Sequence, residues 1–211
     1  MEPTDSLPTQ ADTVIVGAGI VGCNIAYQLT ELGREDVVVV DQGPMPTTGG
    51  SSTHAPGIMF QTAEPKVLSQ FADYSRRLYS DLEGADGQQA YNETGGIEVA
   101  RSEERMDFLR RRVEWATSYG LPEPQLLSPE EVTEHLPMVD EDEILGGYYS
   151  PTDGRVDGIS ALQWYMENSS ASFYGNTEVT DLDVSGGEIN AVETDQGRID
   201  CERAVIATNN W

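Results

Sequence analysis

Lysine is almost missing from this chain: Lys66 stands beside eleven arginines and against 37 acidic residues, for a formal net charge of −25. So little positive charge argues against nucleic acid and anionic membrane surfaces as partners, because a field of this sign repels phosphate. Cysteine is equally scarce. Cys23 and Cys201 lie far apart, so no disulfide framework is indicated, and no metal site is assigned. Long hydrophobic runs are absent too. The longest apolar region, Val14 to Ala26, is broken by Gly17, Gly19 and Gly22 and is too short to span a bilayer. Met1 to Asp12 is acidic without an apolar stretch, which does not read as a secretory leader. A soluble, cytoplasmic protein is the expectation.

What is present is enough for a folded core: 211 residues, 38% of them apolar and spread along the chain. The acid is spread as well, which reads as a solvated surface. Self-repulsion on this scale destabilises a compact state unless ions screen it, so a halophilic setting is expected.

Thr13 to Val16 is a β-branched run that flows into Gly17-Ala18-Gly19-Ile20-Val21-Gly22, after which Ile25, Leu29 and Leu32 recur at helical spacing. Gly33 stops that helix, and Val37 to Val40 reads as a strand buried on both faces of a parallel sheet. This is a βαβ unit. Gln42 to Thr62 is loop-like, a length that is usually functional or disordered. Pro65 to Leu82 reads as a helix with Val67, Leu68, Phe71, Tyr74, Leu78 and Leu82 on its apolar face. Helices are also expected over Ser102–Tyr119, after the capping box Ser128-Pro129-Glu130-Glu131, and over Ser160–Ala171. Strands are expected at Gly96–Ala100, at Ile144–Ser150 with a hairpin at Asp153-Gly154, and at 178–184, 188–194 and 204–207.

The glycine pattern between strand and helix carries the chemistry. Gly17 permits the tight turn, Gly19 lets backbone approach a pyrophosphate, and Gly22 allows close helix–strand packing. The helix N-terminus, with the N–H groups near Ile20 and Val21, suits that anion. Asp41 closes the second strand where an acid accepts hydrogen bonds from a ribose, which favours FAD or NAD over NADP. A nucleotide-free unit in which the same glycines serve packing alone is the competing reading.

The loop Gly49-Gly50-Ser51-Ser52-Thr53-His54-Ala55-Pro56-Gly57-Ile58, with Val40-Asp41-Gln42-Gly43-Pro44, Phe60-Gln61-Thr62, Gly95-Gly96-Ile97-Glu98-Val99-Ala100 and Ile144-Leu145-Gly146-Gly147, resembles the dimethylglycine oxidase, dimethylglycine dehydrogenase and sarcosine dehydrogenase family. These are flavoproteins of the D-amino-acid-oxidase-like superfamily, and the likeness runs from about Thr13 to Trp211. The resemblance implies FAD, covalently bound through the histidine that matches here as His54. A turn histidine satisfied by a backbone carbonyl is the plainer alternative. Ser51, Ser52 and Thr53 would bond phosphate or flavin edges, or only stabilise their own loop. Gln42, Ile58 and Val179 carry over as cofactor contacts, with Val179 equally readable as a core residue. His135 reads as a surface histidine favoured by its helix dipole, Tyr148, Tyr149, Trp164 and Tyr165 as core aromatics with a substrate-cavity lining as the alternative, and no catalytic residue is assigned.

The fold expected is α/β: a Rossmann-like FAD-binding domain from residues 12–85 and 151–211, incomplete at its C-terminal end, with a flexible lead at 1–11. Residues 86–150 would form part of a mixed or antiparallel substrate domain. The activity implied is oxidation of the C–N bond of a small-molecule amine, a secondary or tertiary N-methylated amino acid such as dimethylglycine or sarcosine. Relatives continue past the residue matching Trp211, so the chain is expected to be a fragment, a truncated gene product or one half of a split enzyme whose partner would be a separate chain carrying the other half. A non-catalytic flavin-binding chain and a fragment of an NAD-dependent dehydrogenase are the alternatives.

Overall fold

A computed structural model describes residues 6–84, 87 and 89–210. Along the chain run β1 (Gln10–Val16), α1 (Ile20–Glu31), β2 (Val37–Val40), α2 (Ser51–His54), β3 (Ile58–Met59) and α3 (Lys66–Ser80). Then come β4 (Tyr91–Asn92), β5 (Gly96–Ala100), α4 (Glu103–Tyr119), β6 (Gln125–Leu127), α5 (Pro129–His135), β7 (Gly146–Ser150) and β8 (Gly154–Val156). The chain closes with α6 (Gly158–Asn168), β9 (Ser172–Tyr174), β10 (Val179–Ser185), β11 (Glu188–Thr194) and β12 (Gly197–Ile206). Two compact units result: one from residues 1–55, 83–88 and 158–211, the other from 56–82 and 89–157.

The first unit is a six-stranded sheet in the order β10-β11-β12-β1-β2-β9. β12, β1, β2 and β9 run parallel, and the β10–β11 hairpin is added antiparallel. β12 is shared between two partners. Its first residues, Gly197–Asp200, pair with β11, and Asp200–Ile206 pair with β1. All four valines of β2 are buried, as an apolar run inside a two-sided sheet requires. Val14, Val16, Val38, Val40, Val192, Ile199 and Cys201 form the core on one face.

β1 starts at Gln10, so the lead read from sequence is shorter than expected; Met1–Asp5 lie outside the described residues. Leu7 packs against the core. α1 ends just before Gly33, which takes φ +81°. The helix expected from Ser160 starts two residues earlier, and β9 had no sequence signal at all.

The second unit holds two antiparallel three-stranded sheets, β3-β8-β4 and β5-β7-β6. The hairpin expected at Asp153-Gly154 does not form, because β7 pairs with β5 and β6 while β8 pairs with β3 and β4. α4 is capped by the Ser102 hydroxyl, which accepts from Arg105 N, and is stopped by Gly120 in the left-handed region. α5 has the full Ser128–Glu131 capping box, and the backbone and hydroxyl bonds from Ser128 hold the Glu131 carboxyl below its ordinary pKa. His135 ends that helix with its ring stacked on Tyr149 at 4.8 Å.

Residues 56–82, expected with the nucleotide-binding part, belong to this second unit. β3 pairs with β8, Gln61 N donates to Asp153 Oδ1 at 3.0 Å, and Tyr119 Oη donates to Glu64 O at 2.6 Å. The apolar face expected on α3 forms, but it is largely exposed. Val67, Leu68, Phe71 and Tyr74 are between 50% and 64% exposed, and Ser69 is the buried residue of the helix.

A buried polar network pins this unit together. The Gln61 amide donates to the Thr152 carbonyl and hydroxyl, Tyr91 Oη donates to the same carbonyl, and Thr62 Oγ1 lies 2.6 Å from Tyr148 Oη. Arg112 pairs with Glu98 and stacks 4.5 Å over the Tyr148 ring. Burial pushes the Asp153 carboxyl above its ordinary value of 3.8, opposed mainly by the Gln61 N–H, Ser150 and Arg112. The folded state therefore holds this proton more tightly than the unfolded chain does. Its contribution to stability is full below the ordinary value and is lost as pH rises through the raised one. Asp153→Asn, which keeps an acceptor for Gln61 N, should show a smaller loss of stability over that window than the parent chain. Urea midpoints measured at stepped pH check this, and parallel curves for the two proteins would refute it.

Candidate functional site

The parallel strands β1, β2 and β12 end side by side, and the loops that follow them enclose a crevice of about 780 Å³ in the first unit. A ligand site outside the carboxyl ends of parallel strands is where an open α/β sheet is expected to have one. Gly17 carries the turn out of β1 at φ +105°, a conformation suited to glycine. A Cβ there would also stand 2.7 Å from the Ala207 carbonyl oxygen. Gly22 packs on the same turn: its Cβ would meet Gly17 O at 1.9 Å. Gly19, by contrast, opens onto the crevice, and its Cβ would meet only Ser52 Oγ, at 3.3 Å.

α1 starts after Gly19 with no side-chain cap and no acid in its first turn. Its leading N–H groups have no intrahelical acceptor and present partial positive charge. Ser52 takes one of them, the Ile20 N–H, at 2.9 Å. The hydroxyl is an acceptor in that bond, so its own proton remains for a second acceptor.

Asp41 fastens the site. One carboxylate oxygen accepts from Ala18 N and the other from Gly43 N, both at 2.8 Å. Its backbone N–H donates to Tyr174 O and its carbonyl accepts from Thr177 N. Each carboxylate oxygen keeps a lone pair, and the residue lines the crevice, as a ribose acceptor must. Beneath the turn, Cys23 Sγ donates to Ala18 O at 3.3 Å. Burial first, and the Asp41 charge second, push its thiol up to about 12, so it stays protonated and unreactive.

Of the residues singled out from sequence, Gly17, Gly19, Ile20, Val21, Asp41, Gln42, Ser51, Ser52 and Val179 line the crevice. Val179 lines the crevice and also packs on the sheet core. Gly22 is buried behind the turn. Thr53 turns inward on its own helix, with Oγ1 donating to Gly50 O at 2.9 Å. His54 is exposed at the end of α2, its Nδ1 3.1 Å from the same carbonyl, and it is not among the lining residues. Ile58 lies in the second unit, on β3, where it pairs with Arg155 and is 61% exposed.

Gly49 and Gly50, from the loop that carries the resemblance, also line the crevice, and Thr48, Thr177, Glu178 and Ala207–Asn209 do so without having been picked out. The signal for the last group was available, since they follow a strand parallel to β1. Among the described residues, no group of three or more His, Cys, Asp or Glu is placed to hold a metal ion, and no helix is long and apolar enough to cross a membrane.

The glycine turn, the N-terminus of α1 and the Asp41 carboxylate meet at this crevice and fit FAD: an open cradle at Gly19, donors at α1 and an acceptor at Asp41. The chain belongs to the FAD dependent oxidoreductase (DAO) family, which it matches over residues 12–211. It is 32% identical over 98% of its length to the pyruvate dehydrogenase phosphatase regulatory subunit, mitochondrial, of Mus musculus. It is 32% identical over 96% of its length to the mitochondrial dimethylglycine dehydrogenase of Rattus norvegicus, and it spans 24% of each of these relatives. Among solved structures it is similar to L-proline dehydrogenase from P. horikoshii, with a TM-score of 0.88 and 26% identity, covering 97% of this chain and 54% of that one.

Proposed function

We propose that the chain is the FAD-binding part of an oxidoreductase that oxidises the C–N bond of a secondary or tertiary N-methylated amino acid such as dimethylglycine or sarcosine. The observation that carries the cofactor part is the crevice itself, with α1 pointing its N-terminus across Gly19 while Asp41 waits at the end of β2. The substrate class is supported by the likeness to a dimethylglycine dehydrogenase along 96% of the chain. FAD, once bound, supplies the two-electron chemistry that turns an N-methylamine into an iminium, which water hydrolyses. This chain's residues bind and orient: the α1 terminus and Ser52 face the pyrophosphate, and Asp41 faces the ribose.

The exposed apolar side chains of α3 support a second element of the reading. Phe71, Tyr74, Val67 and Leu68 would be covered by polypeptide equivalent to the remainder of the relatives' length, supplied by a partner chain or a continuation. Co-purification with, and turnover after adding, the remainder of a dimethylglycine dehydrogenase-like chain tests this.

His54 is proposed as the covalent tether. With Nδ1 facing the Gly50 carbonyl, the ring holds its proton there and leaves the lone pair on Nε2, the nitrogen with bonding capacity. The tether requires the flavin ring to extend past α2. Denaturing electrophoresis should show a fluorescent flavin band for the parent chain and none for His54→Ala, which still binds FAD reversibly. A parent chain that loses all flavin on denaturation overturns the tether while leaving FAD binding intact.

A second reading has its own support. The similarity to a protein named as a regulatory subunit, at 32% identity over 98% of the chain, favours a flavin-binding chain that does no chemistry. Turnover of sarcosine or dimethylglycine by the flavin-loaded protein separates the two.

A further inference from the structure

α6 begins at Gly158, in the same unit as the crevice and against α2. Gly158 does not fall in the left-handed region, so its conformation alone would admit any residue. Its surroundings do not. A Cβ would stand 2.4 Å from the Ser52 carbonyl oxygen, with the Ser52 carbonyl carbon next at 3.6 Å and nothing else within 4 Å. The same Ser52 reaches α1 from its other end, accepting the Ile20 N–H at 2.9 Å, and it lines the crevice. The bare backbone of Gly158 therefore sets how close α2 sits, and α2 sets where the Ser52 hydroxyl lies over the start of α1.

We propose that Gly158 is a positioning residue for the cofactor's diphosphate: it seats Ser52 so that the serine hydroxyl, held by Ile20 N–H, donates its proton to a phosphate oxygen in the crevice. This rests on the FAD reading above. Ser52 is the group that touches the ligand, and Gly158 acts only through it. A hydroxyl polarised by an N–H at a helix terminus is a stronger donor to an anion than a free serine. The steric route is short, because a methyl group added at residue 158 has one neighbour to press on.

The test uses the 211-residue chain with Gly158→Ala, Ser52→Ala and the double variant. FAD affinity by titration should fall about tenfold or more in each single variant, the size of a lost hydrogen bond to a charged group. The double variant should be no weaker than Ser52→Ala alone, because Gly158 has nothing to act through once the hydroxyl is gone. A purely structural role would not show this pattern. Hydrogen exchange at the Ile20 amide, measured without FAD, supplies an independent readout. It should be slow in the parent chain and fast in both single variants. A parent chain that fails to bind FAD but shows this exchange pattern refutes the flavin reading and keeps the Gly158–Ser52–Ile20 linkage. Unchanged affinity and exchange in Gly158→Ala, additive losses in the double variant, or a Gly158→Ala chain that no longer folds each overturn the proposal.

Discussion

Gly22→Ala is expected to abolish FAD binding and to lower stability by about 3 kcal/mol or more, the upper end of what overpacking a filled interior costs. The added methyl would lie 1.9 Å from Gly17 O, 3.0 Å from Gly17 C and 3.5 Å from Ala207 Cβ. None of these can yield cheaply. Gly17 N already donates to Val40 O at 2.8 Å, and the other side of the turn is closed by Ala207, whose N–H donates to Val16 O. The methyl must therefore separate α1 from the ends of β1 and β12, which dismantles the crevice and the sheet edge together. Gly19→Ala is the contrasting case. Gly19 has φ −72°, which alanine tolerates, and its new methyl would face only Ser52 Oγ. It should leave the urea midpoint near that of the parent chain and weaken FAD alone. A Gly22→Ala chain that melts and titrates like Gly19→Ala would refute this account of the turn.

The contrast also explains what the sequence made visible. The turn from Val16 to Gly22 is built from neighbours along the chain, so its glycine spacing, the following helix and the four buried valines of β2 were all readable before any coordinates. The place of Asp41 at the end of β2 was readable for the same reason, but its bonding to the neighbouring loops was not. Its two bonds to Ala18 and Gly43 N–H lock two loops together.

What failed to show in the sequence depends on distant partners. β9 is three residues long and becomes a strand by pairing with β2, a context no local pattern encodes. Asp153-Gly154 carries turn chemistry, yet the strands on either side find different sheets, and the Asp153 carboxylate is taken up by Gln61. The same long-range pairing moves 56–82 out of the nucleotide-binding unit and takes Ile58 with it. Thr53 and His54 share one carbonyl partner, Gly50 O, because a single helical turn brings both back to it. The stripe on α3 was correct as a pattern. A helical period says which residues share a face and says nothing about what covers it.

Thermal stability is expected to rise steeply with potassium chloride, by roughly 10 °C between 0.1 M and 1 M, which for a chain of this size corresponds to a few kcal/mol. The reason is arithmetic before it is structural. Even if every lysine and arginine paired with one acid, the formal charge of −25 leaves that many carboxylates unmatched. The positive side chains are already heavily used. Arg198 alone engages Asp183, Glu193 and Asp200, which holds its guanidinium above its ordinary pKa, while Arg112 pairs with Glu98 and Arg203 with Asp12. Further pairing cannot relieve the repulsion, but screening can, since the Debye length falls from ~10 Å to ~3 Å over this range. Two features separate screening from the general stabilising action of excluded salts. The gain should level off near 1 M, where the Debye length is already shorter than most carboxylate spacings, whereas exclusion keeps growing with concentration. It should also shrink as pH is lowered towards the carboxylate range, because protonation removes the charge that the salt screens. A melting temperature that stays flat in potassium chloride, or that climbs linearly past 1 M and is indifferent to pH, would show that this surface has no need of ions.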